Sequence, residues 1–163
     1  MEEVLRMAVN KSYDEMTDIT KYSTAVMRVG SNSMLGKFTK QLTQLHISLQ
    51  VVIGVDNGEL FSYIVFRRRG YDWSWISNAD TIFLVDGNRT QGTGEVVNSH
   101  TSSSDTTVYC NETVSQDTDI DYLWTISKAG SVKFRVGAID VIPPAEFFPA
   151  LKEILDVTKN LGK

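Results

Sequence analysis

Leu45–Val55 constrains this chain more than any other stretch. Leu45, Ile47, Leu49, Val51, Ile53 and Val55 alternate with His46, Ser48, Gln50 and Val52. That period of two fits a strand with one buried face. Asp56-Asn57-Gly58-Glu59 follows, and then Leu60–Arg69, a second apolar run. Asn-Gly between two such runs is the strongest short hairpin signal, because both residues tolerate positive φ. A single strongly apolar face also points to an antiparallel sheet with one wet side.

Ile19–Val29 alternates and reads as a strand, broken at Gly30–Ser33. Thr81–Asp86, Glu95–His100, Thr106–Ser115 and Ser131–Val141 read as further strands. Turns are expected over Gly87–Gly94 and Thr101–Asp105, where small polar residues gather. Glu2–Val9 predicts a short helix, and Met34–Lys40 fits neither period. Thr118–Lys128 predicts a better one, capped by Asp117 or Thr118, with acids at its start and Lys128 at its end. Pro149 suits the first position of a terminal helix whose stripe is Leu151, Ile154, Leu155, Thr158 and Leu161. The sum is a β-rich α+β fold: a mostly antiparallel twisted sheet or two-sheet sandwich of seven or eight strands, with two or three helices including the C-terminal one. No linker or composition shift divides residues 1–163, so a single domain is expected.

Two stretches resemble each other at an offset of fifty. Trp75–Gly87 and Thr125–Gly137 share Ile76/Ile126, Ser77/Ser127, Ala79/Ala129 and Gly87/Gly137. In each, a helix-like segment with an i, i+3 apolar pair (Trp73 and Ile76; Leu123 and Ile126) runs into a β-branched strand. Two equivalent helix–strand corners are the expectation. Phe83-Leu84-Val85 against Lys133-Phe134-Arg135 predicts a central first strand, apolar throughout, and a second with one wet face.

The composition excludes several functions. The net charge of −4 argues against an obligate nucleic-acid partner, although a basic face can hide within an acidic average. A lone Cys110 permits neither an intrachain disulfide nor an all-cysteine metal cluster, and is expected to be a buried, inert thiol. No run of eighteen apolar residues marks a transmembrane helix. Met1–Asn10 lacks the apolar core of a signal peptide, so the sequence as it stands reads as cytoplasmic; an envelope location would require a leader already removed.

Few residues point to chemistry. Asp117, Asp119 and Asp121 have the spacing of the first ligands of a calcium loop, but Tyr122 stands where glycine is needed and Lys128 where the last acid is needed. Gly92-Thr93-Gly94 lacks the rest of any phosphate-loop signature. No nucleophile elbow or zinc-protease helix motif occurs, and no cofactor is indicated. His46 and His100 stand on different strands, each with no ligand partner nearby in sequence. Arg67-Arg68-Arg69 is the sharpest charge run. On a strand, Arg67 and Arg69 share one face and Arg68 takes the other, so two of the three can grip one anion. Trp73, Trp75 and Trp124 fall in the matched segments and would form an aromatic surface if those segments met. The candidate binding surface is therefore Trp73, Trp75, Trp124, Arg67 and Arg69.

Tyr13-Asp14…Asp18-Ile19-Thr20, Leu84-Val85-Asp86-Gly87 and Leu123–Gly137 give the chain a further likeness. In this order they resemble a family of uncharacterised bacterial domains, often found in predicted envelope lipoproteins. The resemblance implies no activity and carries over no functional residue. The first functional expectation is a non-enzymatic binding or protein-interaction module for an unknown protein or small molecule. The alternatives are a small hydrolase using dispersed carboxylates with a histidine, and a structural subunit that forms homo-oligomers.

Overall fold

The computed structural model describes residues 9–29 and 44–161. The expected helix at Glu2–Val9, apart from Val9, and the ambiguous Met34–Lys40 lie outside the described residues. The fold is α+β and β-rich, with two antiparallel sheets and two helices among the described residues.

The large sheet holds β1 (Asn10–Asp14), β2 (Ile19–Ser23), β3 (Met27–Arg28), β4 (Gln44–Asp56), β5 (Glu59–Gly70), β8 (Glu95–Ser104) and β9 (Thr107–Asp117). Its order is β1-β2-β4-β5-β9-β8, with β3 beside β4 past the end of β2. The small sheet holds β6 (Asp80–Val85), β7 (Asn88–Thr93), β10 (Val132–Val136) and β11 (Ile139–Val141), in the order β11-β10-β6-β7. Helix α1 is Ile120–Lys128 and α2 is Phe147–Thr158. Neither is long and apolar enough to cross a membrane.

Turn chemistry sets the registers. Asn57 and Gly58 have φ of 51° and 80°, and Asp86 and Gly87 have 48° and 83°. These are two-residue turns with both residues left-handed, whose twist matches that of the flanking strands. The β8–β9 turn falls at Asp105-Thr106, since Ser104 pairs with Thr107. Thr101–Ser104 is therefore strand, not turn, and residues 88–93 are β7 rather than a turn. Gly94 is where the chain leaves the small sheet for the large one. A Cβ there would lie 2.4 Å from the Ala79 carbonyl oxygen, to which the Gly94 N–H donates.

The core lies between the sheets and under the helices. Leu49, Val51, Ile53, Ile64, Phe66 and Val114 come from the large sheet; Phe83, Val85, Val132, Phe134 and Val136 come from the small one. Phe134 joins the layers. Its ring centroid is 5.6 Å from Phe66, 4.7 Å from Phe83 and 5.9 Å from Phe147 of α2. Helix α1 begins after Asp119, two residues beyond Asp117, and buries Leu123 and Ile126. Helix α2 begins two residues before Pro149. The proline then sits in the first turn, where its missing N–H has no helical partner to lose. Leu151, Ile154, Leu155 and Thr158 form the buried stripe.

The fifty-residue likeness does not give equivalent corners. Residues 71–79 form turns and irregular backbone, not a helix. Ile76 is 53% exposed whereas Ile126 is fully buried. In the strands, Thr81, Phe83 and Val85 face the core, opposite Val136, Phe134 and Val132. An offset of fifty would instead match inner Phe83 to outer Lys133. A one-residue slip exchanges the two faces of a strand, so the match is one of composition, not of position. Strand β6 is central in its sheet but open on its outer side, where Leu84 is 39% exposed. The Lys133 and Arg135 side chains are 44% and 50% exposed, so β10 has the wet face expected of it.

Candidate functional site

Pairing across the large sheet gathers a cationic face. His46 pairs with Arg69, Arg69 with Asn111, and Asn111 with His100, giving one row across β4, β5, β9 and β8. The next row runs Arg28, Ser48, Arg67, Thr113 and Asn98. Both rows lie on the outer side of the sheet, away from the core. There His46, Ser48, Arg67, Arg69, Asn98 and His100 line an open depression of about 410 Å³.

Arg67 and Arg69 are oriented by neutral groups. Arg67 Nη1 donates to Gln50 Oε1 at 3.0 Å, and Arg69 Nε donates to Asn111 Oδ1 at 2.9 Å. The Arg69 guanidinium also lies 5.6 Å from the centre of the Tyr109 ring. Asn111 is held in turn, donating to Ser102 Oγ at 2.9 Å. Among the described residues neither arginine has a carboxylate partner; the ion pairs are Arg68–Glu112, Lys133–Asp140 and Arg135–Asp140. By register, the nearest sheet carboxylate on this face is Glu95, opposite Ser115 and about 12 Å from Arg67. Arg67 and Arg69 stand about 7 Å apart, two residues along one strand.

The histidines flank this pair. His46 Nδ1 is buried with no hydrogen-bond partner among the described residues. Burial, and then Arg28 and Arg69, pull its imidazole below the usual histidine value. His100 Nδ1 lies 3.3 Å from Asn98 Oδ1. Among the described residues neither ring pairs with a carboxylate, the orienting group that a histidine general base takes. The two rings are three strand spacings apart, about 14 Å, too far to share a metal ion.

The inner side explains why the outer side stays cationic. Arg68 is 3% exposed and pairs with Glu112, 1% exposed. Glu112 also accepts the N–H of Ser74 at 3.0 Å and of Ile76 at 2.6 Å. Arg68 Nη1 reaches the Asp72 carbonyl oxygen at 2.9 Å. The one carboxylate of this part of β9 is thereby drawn through the sheet to anchor the 70s loop, away from Arg67 and Arg69. The split of the Arg67–Arg69 run follows from strand alternation. The Glu112 partnership has no local signal, because forty-four residues separate it from Arg68. The shared face of His46 and His100 depends equally on register across four strands.

The tryptophans do not assemble with this face. Trp75 is fully buried, and its indole N–H donates to the Val136 carbonyl oxygen at 3.0 Å. It is a core residue that pins the loop to the small sheet, not part of a binding surface. Trp73 is 41% exposed. Trp124 is half-buried, with Lys128 Nζ 5.7 Å from its ring centre. None of the ring pairs among the described residues joins two tryptophans. Cys110 is buried, and burial pushes its thiol up, which suits an unreactive residue. Among the described residues no group of three histidine, cysteine or acidic side chains could hold a metal ion. No family model matches the chain, and neither a curated protein nor a solved structure matches it.

Proposed function

We propose that this protein is a non-enzymatic binding module that takes an anionic group, phosphate or carboxylate, on the outer face of its large sheet. Arg67 and Arg69 grip the anion, and the neighbouring amide and hydroxyl groups of Asn98, Ser48 and Thr113 complete its contacts. The observation that carries the reading is the fixing of two guanidinium groups by amide oxygens, with no carboxylate partner among the described residues. A chain with net charge −4 has carboxylates to spare, yet by register the nearest sheet carboxylate on this face is about 12 Å away. Among the described residues neither histidine pairs with a carboxylate, which supports binding over the hydrolase alternative.

Isothermal titration calorimetry with pyrophosphate tests the reading. On a half-open face each guanidinium contributes about 1 kcal/mol, so Arg67→Gln or Arg69→Gln weakens binding about fivefold and the pair about thirtyfold. Raising ionic strength weakens the wild type and has little effect on the double variant. Equal affinity in wild type and double variant would overturn the assignment.

A further inference from the structure

The outer face of the small sheet carries a separate depression of about 290 Å³. Its floor is Ile82 and Leu84, and its rim is Arg89, Lys133, Arg135 and Asp140. Lys133, Leu84 and Arg89 form one cross-strand row, and Arg135 and Ile82 begin the next. Asp140 accepts from Arg135 Nε at 2.5 Å and lies 3.3 Å from Lys133 Nζ. Arg89 has no ion pair among the described residues. Three cations against one carboxylate thus surround a leucine that is 39% exposed. Such a site suits a ligand with an apolar tip and acidic flanks.

The chain carries such a feature at the far edge of the large sheet. The β1–β2 hairpin closes through Glu15–Asp18, with Asp14 paired to Ile19. Met16 at its tip is 90% exposed and Tyr13 is 59% exposed. The tip is stiffened from within. Tyr13 donates to Asp18 Oδ1 at 2.8 Å, the Met16 N–H donates to Asp14 Oδ1 at 2.9 Å, and Asp18 adopts a φ of 58°. Asp14, Glu15 and Asp18 flank the methionine, with Lys21 the cation that acts on Asp14. A preorganised loop loses little entropy when it docks. The two features cannot meet within one molecule. Phe83 and Phe134 face the large sheet, so Ile82 and Leu84 point away from it.

We propose that the hairpin tip of one copy docks in the small-sheet depression of a second copy. Met16 sits on Ile82 and Leu84, and Asp14, Glu15 and Asp18 face Arg89, Lys133 and Arg135. The contact is heterologous, so repeated use builds a ring or an open chain rather than a symmetric pair. One side chain and its rim make a small contact, so the association is weak, concentration-dependent and sensitive to salt. It uses none of the residues of the anion-binding face and stands or falls separately from it.

Sedimentation velocity between roughly 10 μM and 1 mM protein tests this. The wild type is expected to exceed its monomer mass of 18.2 kDa as concentration rises. Arg89→Glu, on an exposed side chain, weakens association about tenfold. Met16→Asp and Leu84→Asp are each monomeric, with unchanged circular dichroism. Their equimolar mixture forms a one-to-one dimer, because the first keeps an intact depression and the second an intact tip. A wild type that stays monomeric throughout, or a mixture that does not pair, would overturn the proposal.

Discussion

Glu112→Ala is the substitution that bears most on how the fold sorts its charges. The carboxylate and the Arg68 guanidinium are both buried, and Glu112 also holds the backbone of Ser74 and Ile76. Removing one member of a buried pair leaves an uncompensated charge and costs about 3–5 kcal/mol. At about 2–4 °C per kcal/mol for a chain of this size, the melting temperature falls by about 6–20 °C. Urea unfolding followed by tryptophan emission reads the loss, since Trp75 is buried in the loop that Glu112 anchors. The double variant Arg68→Met with Glu112→Leu removes both charges. It removes the uncompensated charge but leaves the Ser74 and Ile76 N–H groups without their acceptor, so it should recover only part of the loss, about 1–3 kcal/mol. Arg67→Gln, on the opposite face, should change stability by no more than about 0.5 kcal/mol. A loss below about 1 kcal/mol in Glu112→Ala would refute the reasoning. So would a double variant as unstable as the single one.

Three further outcomes are expected. The folded pKa of His46 lies below the unfolded value near 6.5, so the unfolded state binds more protons and stability falls as pH drops from about 6.5 toward the folded value; His46→Gln flattens that part of the pH–stability curve in urea titrations. The hydrogen bond from Arg135 holds the Asp140 carboxyl below the usual carboxylate range, so its stabilisation is present above about pH 3.9 and is lost as pH falls through the folded value. With that side chain 36% exposed, Asp140→Asn costs only about 0.2–1 kcal/mol at neutral pH, and calorimetric melts should converge in acid. Gly94→Ala forces a methyl group against the Ala79 carbonyl oxygen at the crossing between sheets and costs about 1–3 kcal/mol by chemical denaturation; a neutral result would mean that the crossing yields easily.

The sequence was most legible where local chemistry and packing agree. Alternation through β4 and the Asn57-Gly58 turn placed the central hairpin, and the α2 stripe appeared with its buried residues. Elements without an apolar period were hidden. Strand β7 reads Asn-Arg-Thr-Gln-Gly-Thr and β1 reads Asn-Lys-Ser-Tyr-Asp, and both are edge strands that bury little. The 70s loop looked helical because Trp73 and Ile76 have helical spacing, yet Trp75 is the residue the core takes. Its conformation is set by the distant Glu112 and Val136. The same limit governs the site. Alternation alone put Arg67 and Arg69 on one face, but His46, Asn111 and His100 join them only through pairings between strands far apart in sequence.

The central claim is that Arg67 and Arg69 present oriented, unneutralised charge to an anion. Heteronuclear NMR of the arginine Nε–H and histidine ring resonances during a pyrophosphate titration tests it most directly. The account predicts saturable shifts at Arg67 and Arg69, smaller ones at His46 and His100, a rise in the His46 pKa with the anion bound, and no change at the buried Arg68. Shifts centred on Arg89 and Arg135 instead, or none that saturate, would contradict it.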